Sequence, residues 1–452
     1  MNKLTFIVFL TSLFFMGCKK TEAPAQTNKN IISSAGLVID SLWESPQNAI
    51  HIDPTISDNN ANGTIEHPFS SFEKIKWQDG LVVALKRGTE IKTESIVIDV
   101  NNFVFASYGL GSRPIINYTG DGHAITTDWK GNAVNVTIRD VEINASKAAS
   151  CIIFRDNDSN VKIINCKLYG AQWGIRALNY VKKIYIYNTE VFNTYDDGIF
   201  IKSSEDIEIA NCYVHNVNLN WKPPTTSESD AGGDGIQFEA CNHWWVHNNK
   251  IDHSSTGNKF CFISNNNSQN DGICEYNYMI GPKVDGASIY LGGGEGLIIR
   301  YNYITAPSNS PVYTHLKSLK VYYNIFDGIT GPLYADNAEV YNNLFYNMQK
   351  LAIQGDSIIA RNNIFDLGSP DNYRFHVNHL TEDHNLFVYG LPTDRSFTAY
   401  PLYIDAKLNN FHLQKNSPCI DKGIDVGLNK DYDGNKVPEG QIPDIGPYEY
   451  IQ

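Results

Sequence analysis

One short phrase recurs down the middle of the chain and limits what it can fold into. It runs apolar, any, apolar, any, a polar anchor, two more residues, then apolar. It reads Val161-Lys-Ile-Ile-Asn165-Cys-Lys-Leu168, then Ile184-Tyr-Ile-Tyr-Asn188-Thr-Glu-Val191, then Ile207-Glu-Ile-Ala-Asn211-Cys-Tyr-Val214. The anchors are Asp140, Asn165, Asn188, Asn211, Asn248, Asn277, Tyr301, Tyr323, Asn342, Asn362 and His384, at intervals of 25, 23, 23, 37, 29, 24, 22, 19, 20 and 22 residues. A unit this short, alternating with period two, has no way to bury its apolar face alone, so neighbouring units must stack. The pattern predicts an all-β parallel solenoid, one coil per anchor, with three short strands and their bends filling each coil. Anchor asparagines are expected to form a hydrogen-bonded ladder at one bend, a structural rather than a chemical role.

The N-terminus reads differently. Lys3 precedes an apolar run over residues 4–16, closed by Gly17-Cys18-Lys19-Lys20. The run is too short for a transmembrane helix and has the layout of a secretory signal. Phe15-Met16-Gly17-Cys18 resembles a bacterial lipobox, with Phe where Leu is usual. That resemblance implies cleavage before Cys18, lipidation of its thiol and a place in the cell envelope. An ordinary signal peptide is the alternative. The expected organisation is a signal over 1–17, a polar tether over 18–35, the solenoid with an N-terminal cap over 36–408, and a closing segment over 409–452.

The formal net charge is −13 and becomes about −14 once Lys3 is removed. An acidic chain argues against nucleic acid as partner. A polyanionic sugar is compatible only if the groove is locally basic. Of the 8 cysteines, one is Cys18; the odd remainder, with no CxxC pattern, reads as small buried hydrophobes, Cys166 and Cys212 stacking beside the anchors. Asp431-Tyr-Asp433-Gly-Asn435 has the look of a calcium loop without the rest of an EF-hand, and reads as a plain turn.

Residues 49–91 resemble the N-terminal cap of secreted β-helix proteins: a strand at His51, a turn through Gly63, a short helix over 72–75 and a strand over 81–85. Tyr108-Gly-Leu-Gly-Ser-Arg-Pro114 resembles their first full coil, and the ending Asp444-Ile-Gly-Pro-Tyr-Glu-Tyr450 resembles their C-terminal closure.

Chemistry is expected on the two longest coils, because extra length in a solenoid becomes loops on one face. The arm from Asn218 to Gly233 carries Trp221, a candidate for stacking on a sugar. The strands after successive anchors align as Trp173-Gly-Ile-Arg176, Asp197-Gly-Ile-Phe200-Ile-Lys202, Asp234-Gly-Ile-Gln237-Phe-Glu239, Asn258-Lys259-Phe-Cys261 and Asp285-Gly-Ala-Ser288-Ile-Tyr290. In this register Ile175, Ile199, Ile236, Phe260 and Ala287 point inward. One outward column then holds Asp197, Asp234, Asn258 and Asp285; a second holds Arg176, Phe200, Gln237, Cys261 and Ser288; a third includes Lys202, Glu239 and Tyr290. Adjacent carboxylates repel unless a cation or proton intervenes, so Asp196, Asp197 and Asp234 are candidate calcium ligands. The plainer reading is that each Asp-Gly pair shapes the bend before a strand. Lys259 stands where the other coils carry Gly, facing the acidic column; it is a candidate base or a lysine paired with Asp234 or Asp285.

On these residues the chain resembles the right-handed parallel β-helix polysaccharide lyases, including alginate and pectate lyases. Asp196-Asp197-Gly-Ile and Gly257-Asn258-Lys259-Phe look like the calcium-bearing and lysine-bearing turns of one pectate lyase type, although Phe200 stands where a further acidic ligand is expected. The Asp-Gly-Ile-Gln and Asn-Lys turns look like β-helix proteins grouped with alginate lyases. The resemblance implies a monomeric enzyme that cleaves an acidic polysaccharide by β-elimination, with calcium or no cofactor. Lys259 would be the base, Arg176, Lys202 and Gln237 would hold the substrate carboxylate, and Tyr195 or His253 would protonate the leaving oxygen. Trp221 and Tyr290 would line the groove. Two other readings stand beside it: a glycoside hydrolase using Asp196, Asp197 and Asp234, and a non-catalytic glycan-binding lipoprotein with Trp221 and surface tyrosines as its platform.

Overall fold

The computed structural model describes residues 48–219, 233–255, 261–267, 271–281, 287–305, 310–316, 318–349, 351–369, 373–390 and 395–451. Over these residues the chain is a right-handed parallel β-helix built from three sheets. One coil shows the plan: Trp173–Leu178 lies in sheet A, Lys182–Tyr187 in sheet B and Glu190–Phe192 in sheet C. Each strand pairs in parallel with its counterpart one coil on, so identical positions stack.

Period-two alternation decides what faces inward. In sheet A, Ile125, Ile152, Ile175, Ile199, Ile236, Ile263, Ile289 and Val312 form one continuous interior column. In sheet C the interior column ends in aromatics, Phe326, Phe345, Phe365 and Phe387, whose rings follow one another at 4.9–5.2 Å. Burying each such side chain contributes about 1.5–3 kcal/mol, and the sum over the coils is what holds the solenoid together.

The anchors lie at the bend between sheets B and C. Asp140, Asn165, Asn188, Asn211, Asn248, Tyr301, Tyr323, Asn342, Asn362 and His384 all adopt left-handed backbone, φ 48° to 59°. Asn and Asp tolerate that region best, which explains their recurrence. One anchor differs from the sequence reading: Tyr276, not Asn277, takes the left-handed position, at φ 53°. Asn277 belongs one place further on, in a second and better-formed ladder. There Asn249, Asn277, Asn302, Asn324, Asn343, Asn363 and Asn385 are buried, each Nδ2 donating across coils. The outer anchor ladder is partial: Asn188 Nδ2 donates to Asn165 Oδ1 at 3.1 Å and Asn362 Nδ2 to Asn342 Oδ1 at 3.2 Å. In earlier coils the inner position holds Cys166, Thr189 and Cys212, buried, with both cysteines unpaired as expected.

The N-terminal cap consists of the strand Ile50–Ile52, parallel to Val82–Lys86, and a single 3-10 turn over Phe72–Lys74. Phe72 and Trp77 lie against Phe105 and Phe103, covering the first interior rung. The closing segment begins with an antiparallel pair, Tyr403–Asp405 with Asn410–Leu413. It then doubles back along the bend that carries the anchors. Tyr301 donates to the Lys430 carbonyl at 3.1 Å, Asn342 Nδ2 to the carbonyls of Asp444 and Gly446, and Asn362 Nδ2 to that of Ile424. Asp431 is a turn residue, its carboxylate accepting from the backbone of Asp433, Asn435 and Glu449. No helix among the described residues is long and apolar enough to cross a membrane.

Candidate active site

The outward column of sheet A carries the candidate chemistry, and the register fixes its members. Thr126, Ile153, Arg176, Phe200, Gln237, Ser264, Tyr290, Tyr313 and Tyr334 succeed one another on adjacent coils. This corrects two alignments. Ile263 pairs with Ile236, and Ser264 with Gln237, so the coil after His253 is displaced by three residues from the sequence reading. Tyr290 pairs with Ser264 and so shares the column of Arg176 rather than that of Lys202. The extra residues before these two strands are taken up in the bends. Tyr290 heads a stack, its ring 5.9 Å from Tyr313, which lies 4.8 Å from Tyr334.

Arg176 is the centre of this face. Its guanidinium lies 4.1 Å from the Trp173 ring and 5.8 Å from Phe200. Its buried Nε has no hydrogen-bond partner, and no carboxylate among the described residues forms an ion pair with it. Burial, and then the neighbouring charge of Arg155, lower its pKa, against the raising effect of Asp196 and Asp197. A half-buried cation without a counter-ion is costly in isolation, and such sites commonly bind anions.

Beside it stand the carboxylates, arranged as a vertical relay. Asp197 Oδ1 accepts the Asp234 backbone N–H at 2.8 Å. Asp234 Oδ1 accepts the Cys261 N–H at 2.9 Å, and its Oδ2 takes the Ser264 hydroxyl. Asp196 is half-buried and accepts from Gln172 Nε2 at 3.4 Å. Asp197 and Asp234 therefore shape the bends, as the Asp-Gly reading has it. The calcium expectation finds no support here: both oxygens of Asp234 and Oδ1 of Asp197 are engaged by protein donors, and among the described residues no three His, Cys, Asp or Glu side chains converge on one point. Burial, followed by the charges of Asp234 and Asp196, pushes the Asp197 carboxyl well up. Burial raises Asp234 to about 6 against the lowering bonds from Ser264 and Cys261.

The linkage to stability has a definite sign. A carboxyl raised on folding stabilises the native state most when protonated, below its unfolded pKa of 3.8, and that contribution disappears as pH rises through about 6. Asp234→Asn is expected to keep the Ser264 contact while removing the titration. The wild-type melting temperature should therefore gain a few degrees on the variant between pH 7.5 and 5. Parallel melting curves over that range would contradict the assignment.

The remaining candidates separate. Lys202 is half-buried and spent on Glu239, Nζ to Oε1 at 2.7 Å, so its charge is already compensated and it does not join Arg176 as a carboxylate clamp. Gln237 lies in the Arg176 column, one coil beyond Phe200. Tyr195 is 42% exposed and lines an open hollow of about 430 Å³ with Asp121, Lys147, Ala148, Ala149 and Gln172, where a proton donor is accessible. His253 is fully buried, its ring 4.8 Å from Phe262 and its Nε2 beneath Gly235, so the structure removes it from the groove. An inward position follows from its place after the sheet C strand Lys250–Asp252. Lys259, Trp221 and Cys18 lie outside the described residues, as do Asn258, Phe260 and Asp285. Two residues that the sequence reading missed flank Arg176 on the preceding coils, Arg155 and His123. Extending the alignment back to Ser150-Cys-Ile-Ile-Phe-Arg155 would have found the first.

No protein-family model matches the sequence, and no curated protein does. Solved structures do match. A GH136 lacto-N-biosidase from Eubacterium ramulus superposes with a TM-score of 0.52 at 14% identity, covering 77% of this chain and 67% of that one. A complex of XylC with xylose gives a TM-score of 0.52 at 10% identity, covering 89% and 98%. The PL6 family alginate lyase AlyGC gives 0.51 at 12% identity, with 76% of this chain matched to 55% of the enzyme. At these identities the likeness defines the fold: a parallel β-helix of the kind on which both polysaccharide lyases and glycoside hydrolases are built.

Proposed function

We propose that the protein is a polysaccharide lyase that cleaves a uronic-acid polymer by β-elimination, with alginate the favoured substrate and pectate next. The observation that carries this reading is Arg176, a guanidinium held on the outer face of sheet A between Trp173 and Phe200 without an anionic partner among the described residues.

The C5 proton of a uronate is weakly acidic because the carboxylate resists taking up more negative charge. A planar fork of N–H donors neutralises that carboxylate and stabilises the enolate-like transition state. Arg176 fills that role, with Gln237 as a neutral donor in the same column. Lys259, two residues before the Cys261 amide that binds Asp234, takes the C5 proton. The electron pair forms the C4–C5 double bond as the C4–O bond breaks, and the accessible Tyr195 hydroxyl protonates the leaving oxygen. Trp221, in the long interval between Asn211 and Asn248, is assigned to stacking on a neighbouring sugar. In this reading Arg176 supplies the neutralisation that calcium would otherwise provide, so activity is expected to survive a chelator. We further propose a lipid anchor at Cys18, placing a monomeric enzyme on the cell envelope.

A hydrolase on the same scaffold is the second reading, with Asp196, half-buried on this face, as its candidate carboxylate. Products separate the two. Incubation with alginate, pectate, glycosaminoglycans and neutral glycans, with and without chelator, is expected to give unsaturated, ultraviolet-absorbing ends on a uronate polymer. Reducing ends without that absorbance would establish hydrolysis, and no product on any polymer would leave a binding protein.

A further inference from the structure

Among the described residues, Arg155 is a second cation on this face that forms no ion pair. Arg155, the last residue of the strand Ser150–Arg155, is 5% exposed. It lies one coil before Arg176 and two residues further along the strand, about 8 Å away by strand geometry. Its Nη2 donates to Thr126 Oγ1 at 3.2 Å, and its guanidinium carbon lies 3.9 Å over the Trp129 ring. Its Nε has no partner. The two carboxylates whose charge it feels are Asp156 and Asp158; Asp156 accepts from Asn179 Nδ2 at 2.8 Å, and Asp158 is spent on Thr127 Oγ1 and on the backbone N–H groups of Ala133 and Arg155 itself. On the preceding coil His123 pairs with Ser150, at the other end of this strand from Arg155, and its buried Nδ1 has no hydrogen-bond partner among the described residues. Burial and the charges of Arg155 and Arg176 lower that ring to about 4, so it is neutral at ordinary pH. Trp129 is 75% exposed and offers the ring face not covered by Arg155.

We propose that Arg155 and Trp129 form a second subsite, adjoining Arg176, that receives the oxyanion of a neighbouring sugar, carboxylate or sulfate ester, while Trp129 stacks on its ring. The groove would then select chains charged on successive units and discriminate against neutral glycans, although the protein as a whole is acidic. This rests on the outer face of sheet A being the glycan groove, as in the proposed function, but not on elimination chemistry.

The test is calorimetric titration of the full protein with three probes: an oligouronate, a sulfated oligosaccharide of the same length and a neutral xylo-oligosaccharide. The charged probe is expected to bind with salt-sensitive affinity and the neutral one not to bind. Arg155→Gln is expected to weaken binding by about 10- to 100-fold, the range for a charged hydrogen bond. Trp129→Ala should weaken it by a smaller factor. Removal of a buried charge that forms no ion pair among the described residues should offset the lost Thr126 and Trp129 contacts and leave the Arg155→Gln melting temperature unchanged or higher, whereas a purely structural arginine would lower it. Preference for the sulfated or the carboxylated probe identifies the source of the oxyanion. Wild-type affinity in Arg155→Gln, or no binding of either charged probe to the wild type, overturns the subsite. Loss of affinity in Arg155→Gln without any unsaturated product supports the subsite while sinking the lyase reading; unsaturated product with unchanged affinity does the reverse.

Discussion

Arg176→Gln is expected to lower kcat/KM on a uronate polymer by roughly 10²- to 10³-fold, the usual loss when one transition-state hydrogen-bond donor is removed from a site. The loss should fall mainly on kcat, because charge builds up on the substrate carboxylate as the C5 proton leaves. Stability should barely change. The variant gives up a ring contact with Trp173, worth about 1 kcal/mol, and is relieved of a half-buried charge that forms no ion pair among the described residues. Arg176→Lys should recover little, since a point charge does not reproduce the planar fork of donors. Steady-state kinetics and thermal melts of the two variants check this. Unchanged kcat/KM in Arg176→Gln would remove Arg176 from the chemistry, and with it the observation on which the lyase proposal stands.

The largest effect on stability is expected from Asn324→Leu, at about 3–5 kcal/mol. Asn324 is fully buried, and its Nδ2 donates to the carbonyls of Ile299 and Tyr322 and to Asn343 Oδ1 at 2.9–3.1 Å. Its Oδ1 accepts both the backbone N–H and the Nδ2 of Asn302, each at 3.0 Å. Leucine fills the volume but strands donors and acceptors on two neighbouring coils, each costing about 1–3 kcal/mol when buried and unmade. Asn337 is a control: it is exposed and left-handed at φ 52°, so Asn337→Gly should be close to neutral. Denaturant titration of both variants decides the matter. Equal midpoints would mean the inner amides are passengers rather than keys.

The coils were legible because the period-two alternation and the polar anchor recur together; every anchor except one marks a left-handed bend. The exception is instructive. Tyr276 and Asn277 are both polar and adjacent, and only the backbone shows that the tyrosine takes the outer bend while the asparagine turns inward. The site was half legible. Arg176, Phe200 and Gln237 fall in one column as read, because these coils keep the same spacing from bend to strand. The next coil does not. The run Phe260-Cys-Phe-Ile263-Ser-Asn265 offers two apolar alternations, and choosing the wrong one exchanges faces. That ambiguity placed Cys261 beside Gln237, where Ser264 stands. Lys202 looked available because its partner Glu239 lies 37 residues away in sequence yet directly across the ladder. Asp197 and Asp234 looked like metal ligands for the same reason: their hydrogen-bond partners come from other coils.

The inner ladder of amides starts immediately after the coil that carries the long arm. Its first member, Asn249, reaches back across that coil to the Cys212 amide at 2.8 Å and forward to Asn277. The coil is thus pinned at the bend whatever the length of chain between Leu219 and Gly233. Scaffold and arm are free to diverge separately: a descendant could exchange the segment between Leu219 and Gly233 wholesale and inherit the same spine unaltered.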